Sequence, residues 1–240
     1  MGTARRRNDG FLERGDQVTR LETFVDAAFA FAVTLLIISA GTLPSSGAEL
    51  IEAFKGTPAF VLSFVLLAQF WWSHNTWSRR YGLDDTGSNI ISLALVCLVL
   101  LWVYPLRAMM ESFFAWVTAG WLPARYGIRS IADLTTMFVT YGAMFATVGV
   151  CFALLYLQAW RQRATLALDA TEREATVAAI CSFLWIAING IGSLLLALAL
   201  IRPDRPTWVY AVPGTMYFSL WATGPLVRAI ARRIVAPTPG

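Results

Sequence analysis

Charge is what this chain has least of. Asp, Glu, Lys and Arg make up 14% of its 240 residues, against about 25% in an ordinary soluble domain. A soluble protein of this size would have too little polar surface to face water. There is one histidine, so a zinc site of the His-Glu-x-x-His kind cannot be built. Neither a Gly-x-Ser-x-Gly elbow nor a P-loop occurs. The three cysteines are odd in number and form no Cys-x-x-Cys pair. They read as small buried apolar residues rather than ligands or a disulfide framework. Together these absences exclude the common hydrolase and nucleotidase designs and leave no cofactor to expect.

What is abundant is apolar: 57% of the residues are hydrophobic. Six stretches carry no charge at all, at 27–48, 56–78, 86–106, 134–160, 175–201 and 206–227. Each is long enough to cross a bilayer core, which takes roughly 20 helical residues. None shows sustained alternation, so helices are expected rather than a barrel. The predicted fold is an all-α integral membrane protein with six transmembrane helices. The last is interrupted by Pro206, Pro213 and Pro225.

An even number of spans puts both termini on one side. Thirteen basic residues fall on that side, including Arg5, Arg6, Arg7, Arg79, Arg80, Arg161 and Arg232, and six fall on the other. The positive-inside bias makes both termini cytoplasmic. The net charge of +4 is therefore a topology signal, and no nucleic-acid partner is expected. The polar start, with its first apolar run near Phe24, does not read as a signal peptide. Residues 1–19 form a basic cytoplasmic segment, 20–233 one six-span membrane domain, and 234–240 a short tail. A multi-pass protein of a bacterial-type plasma (inner) membrane is expected, with the lipid bilayer as its surroundings.

Span 1 is predicted to start at a capping box of Thr19 and Glu22 and to stop before Gly41 and Pro44. Span 2 covers about 57–77 and ends in Phe70, Trp71, Trp72 and Trp77, a cluster of the interfacial-anchor kind. Span 3 meets Pro105. The connection from Arg107 to Asp133 is read as lying on the membrane surface. A second helix start is expected between Asp169 and Glu174. Thr147-Val148-Gly149-Val150 begins like a carbonyl filter for potassium, but lacks the following Tyr-Gly and lies within a span.

Asp26 is anomalous, because a carboxylate inside a membrane helix costs about 2.5–3.5 kcal/mol on insertion scales. It calls for a donor, and His74 or the indole N–H of Trp71 or Trp72 are the candidates. Phe31, Leu35 and Ile38 share a face of span 1, with Thr34 beside them. On spacing alone, such a stripe reads as a packing or lipid-facing seam.

The segment Arg20–Ile38, RLETFVDAAFAFAVTLLII, resembles the signature of the transmembrane protein 175 family, the lysosomal and bacterial potassium channels. That signature has Arg, three variable residues, Phe-Ser-Asp, then an apolar helix ending in Thr-Leu-Leu. Arg20, Phe24 and Asp26 match, as do Thr34, Leu35 and Leu36. Phe70-Trp71-Trp72-Ser73-His74 is similar to the family's aromatic-Trp-x-x-His pattern, and Pro105 also fits. The resemblance implies a homotetramer in which four copies of span 1 line a potassium path without a carbonyl filter. It places the constriction at Phe31, Leu35 and Ile38, a hydroxyl layer at Thr34, and a locking network at Arg20, Phe24, Asp26, Trp71 and His74. Potassium is the only metal implied, and it passes transiently. Three residues depart from the pattern: Val25 replaces Ser, Phe31 replaces Ile, and Ala94 stands where an Asn is expected. Two other functions stay open. One is a proton-coupled secondary transporter using Asp26 and His74 as a relay; the other is a non-conducting membrane scaffold derived from the channel.

Overall fold

A computed structural model describes residues 6, 9–15, 17–39, 41 and 43–235; Arg5 and Arg7 of the basic segment, and 236–240 of the tail, lie outside them. Among the described residues every regular element is a helix, with one isolated bridge between Arg6 and Leu12 and no sheet. The helices are α1 (Arg20–Ile38), α2 (Gly47–Lys55), α3 (Thr57–Tyr81), α4 (Thr86–Val117), α5 (Ile131–Arg161), α6 (Ala170–Leu200), α7 (Val212–Thr215) and α8 (Thr223–Val235). Helices α1, α4, α5 and α6 are each long and apolar enough to cross a membrane, and α2 with α3, bent by 43°, make a fifth candidate.

The helix starts follow local chemistry. Thr19 and Glu22 form the expected capping box of α1. The helix start expected at Asp169–Glu174 is that of α6 itself, capped by Asp169 and Glu172. Asp85 caps α4, accepting from the Gly87 and Ser88 amides.

Four expectations need correction. Helix α4 does not end at Pro105 but runs twelve residues further, to Val117. A proline removes one backbone bond, and a membrane helix flanked by good helix formers absorbs that loss. Trp77 is not an interfacial anchor. It is buried, and its indole N–H donates to the Leu155 carbonyl of α5 at 2.9 Å. Cys97 is exposed rather than buried. The sixth stretch is also not one helix. It passes through 3-10 turns at Thr207–Ala211 and Met216–Ala222 around the four-residue α7. Pro213 and Gly214 break its regularity.

Helices α5 and α6 form the most extensive pair among the described elements. Their approach depends on glycine. A Cβ on Gly142 would lie 2.6 Å from the Gly190 carbonyl oxygen, and one on Gly149 would lie 2.8 Å from the Ala187 nitrogen. Small residues let membrane helices close to backbone contact. Gly142→Ala should therefore destabilise the protein by about 1–3 kcal/mol, the usual cost of overpacking. Its thermal midpoint in detergent would fall measurably below that of the parent.

One end of the bundle is tied by the N-terminal segment. Arg14 forms a bidentate pair with Glu172 at 2.8 Å. Arg6 meets Asp169 at 2.9 Å, Arg80 meets Asp9 at 3.1 Å, and Phe11 is buried against Tyr81 beneath the Arg80 guanidinium. At the same end Asp85 accepts from Gln158 and Gln162 of α5. Burial pulls the Asp85 carboxyl upward, but hydrogen bonds from Ser88, Gln158 and Gln162 outweigh it and bring the pKa from 3.8 down to about 2. The stabilisation from this carboxylate is present above pH 3.8 and is lost as the pH falls through about 2. Asp85→Ala should thus lower the thermal midpoint at neutral pH. The gap to the parent should narrow across that acid window in a pH series.

Candidate functional site

Helix α1 has two faces. Val25, Phe29, Ala32 and Leu36 are buried against the body of the chain. The opposite face carries Phe24, Ala27, Phe31, Thr34 and Ile38, all exposed. Phe31 is 54% exposed and Ile38 58%. Their spacing of three and four residues makes one continuous stripe. Leu35 sits at its edge, half-buried and packed against the core. The exposed Thr34 hydroxyl donates to the Ala30 carbonyl at 3.2 Å.

The remaining motif residues separate into two contacts. The Trp71 indole donates to Asp26 at 2.7 Å, tying α1 to α3. His74 is 2% exposed, and its Nε2 shares a 3.0 Å hydrogen bond with Ser92 of α4. Its ring packs 5.7 Å from that of Trp77. Arg20 and Phe24 lie on the exposed side of α1. The structure thus joins Asp26 to Trp71 and sends His74 to a different helix. Val25, where the family pattern has Ser, is a core residue.

Polar contacts that the sequence reading did not assign hold both ends of α1. At its start, the Ser78 hydroxyl donates to the buried Glu22 carboxylate at 2.6 Å. At its end, Arg107 of α4 is 5% exposed, pairs with Glu111 at 2.8 Å, and donates to the Leu36 carbonyl at 2.8 Å. Arg125 donates to the Ser39 carbonyl at 3.1 Å. The available signal was the i,i+4 spacing of Arg107 and Glu111. The expected break at Pro105 hid it by placing both residues in a loop. Among the described residues no group of three His, Cys, Asp or Glu side chains could hold a metal ion.

Comparison with known proteins fits this arrangement. Residues 20–105 match the family model "Endosomal/lysosomal potassium channel TMEM175". A potassium channel of Marivirga tractuosa is 29% identical over 217 residues, covering 88% of this chain and 86% of its own. The crystal structure of a variant of the potassium channel MtTMEM175, in complex with a Nanobody-MBP fusion protein, superposes with a TM-score of 0.79 at 27% identity. That match covers 96% of this chain and 98% of the other. The resemblance carried by the α1 motif is borne out by all three. The family is one of ion channels, not of enzymes.

Proposed function

We propose that this relative of the TMEM175 potassium channels assembles as a homotetramer and conducts potassium along a path lined by four copies of α1. Phe31, Leu35 and Ile38 form its constriction, and Thr34 lines it with hydroxyls. The single observation that carries the reading is the exposed stripe of α1, which lies within the segment matched by the family model. An apolar neck controls ions by dewetting and needs no carbonyl filter. The Trp71–Asp26 bond holds α1 against α3, so that the stripe keeps its outward direction.

The chain crosses the membrane six times in this reading, with the broken segment 206–235 as the sixth crossing. Supporting this, Arg232 of α8 pairs with Glu174 at the start of α6, where the N-terminal segment also binds. Tyr210 bonds the Arg202 carbonyl beyond the other end of α6. The end shared by both termini holds most of the arginines and faces the cytoplasm of a bacterial-type plasma membrane.

The test is potassium flux from liposomes containing the purified protein, together with its mass in detergent or nanodiscs. A tetramer that passes potassium is expected. A monomer, or a protein silent both as it stands and as Phe31→Ala, would reject the reading. Saturable uptake of a substrate would replace it with a carrier.

A further inference from the structure

The last turn of α1 contains no basic residue. Its final carbonyls carry the negative end of the helix dipole and need donors from elsewhere. Two arginines supply them. Arg107 reaches across from α4 with its Nη1 on the Leu36 oxygen and its Nε on Glu111, both at 2.8 Å. The other Glu111 oxygen accepts from the Arg125 backbone amide at 3.2 Å. The Arg125 side chain then returns to the Ser39 oxygen. Gly41 makes room for this return: its φ is +93°, and a Cβ there would strike the Arg125 guanidinium. The Leu36 oxygen also accepts from the Ser39 hydroxyl at 2.6 Å, so the end of α1 is pegged on both sides of Ile38.

We propose that Arg107 and Arg125 are positioning residues for the constriction. They sit outside the path and fix the rotation of α1 at Ile38, and ion selectivity depends on them. The planar fork of Arg107 is essential because one group must bond Glu111 and Leu36 together. A lysine keeps the charge beside Glu111 but cannot span both acceptors. This proposal rests on the channel reading above, and its test separates the two.

The test uses full-length protein in liposomes, unchanged and as Phe31→Ala, each also carrying Arg107→Lys or Arg125→Gln. Amide hydrogen exchange is followed over 35–41, and the potassium-to-sodium permeability ratio is measured on the same preparations. Exchange at the end of α1 should rise about tenfold, as loss of a charge-assisted hydrogen bond would give, while exchange over 22–30 stays constant. The permeability ratio should fall at least severalfold, with the thermal midpoint of Arg125→Gln unchanged. Arg125 is exposed, so this variant keeps the test open even where Arg107→Lys folds poorly. Unchanged exchange in both variants overturns the proposal. Faster exchange with an unchanged permeability ratio overturns the role in selectivity. If neither the parent nor Phe31→Ala conducts, the channel reading itself fails and the proposal falls with it; the exchange data then still report whether the pegs hold the helix.

Discussion

In the channel reading, Phe31→Ala should conduct potassium about tenfold faster than the parent, the factor that follows when a permeation barrier drops by about 1.4 kcal/mol. The reason is geometric. Phe31 projects from the exposed face of α1 at mid-stripe, and in a fourfold pore each aromatic ring would be met by three others. A neck filled by four phenyl rings excludes water, and an ion entering it must shed hydration with no polar group to replace it. Truncation to alanine would widen the proposed neck at that level and leave Leu35, Ile38 and the Thr34 hydroxyls in place. Liposome flux with a potassium-sensitive dye measures the change. Equal, low flux in parent and variant would mean that Phe31 is not the limiting group. Phe31 lies off the buried face of α1, so the fold should survive its truncation and the thermal midpoint should hold.

Glu172→Ala should have the largest effect on stability, about 3–5 kcal/mol, as expected when one partner of a buried ion pair is removed. Glu172 is 0% exposed and is held by four donors: two nitrogens of Arg14, the Leu12 amide and the Asp169 amide. Without it the Arg14 guanidinium, at 14% side-chain exposure, stays in place with its charge uncompensated. The N-terminal segment loses its main attachment to α6. The double variant Arg14→Met with Glu172→Met should recover only part of the loss. It removes both charges but still orphans the Leu12 amide and half of the α6 capping box. Thermal unfolding in detergent gives the ranking, and faster proteolysis of residues 9–15 would report the released segment. A Glu172→Ala protein as stable as the parent would show that the pair contributes nothing.

Some of this molecule was readable before any coordinates. The capping boxes need only Thr19 with Glu22, three residues apart, because both bonds close within one helical turn. The charge-free stretches located α5 and α6 within about five residues, because lipid demands length and apolarity irrespective of neighbours. The α1 motif could be compared with the family whose model matches residues 20–105 for the same local reason. Span 3 was cut short because a lone proline looks like a stop, yet the cost of its missing bond depends on packing around it. The last stretch was apolar enough to be read as a span, but 3-10 turns on both sides of α7 interrupt it.

The sequence by itself determined that this is a helical membrane protein and that α1 resembles a family signature. Those properties depend on composition and on spacing along one helix. Only the tertiary structure decided which face of α1 is left uncovered, that Trp71 rather than His74 bonds Asp26, and that Arg107 and Arg125 close over the end of α1. The last two are contacts between residues at least 45 positions apart. Such contacts depend on how helices cross, and helical periodicity says which residues share a face but not which neighbour that face will meet.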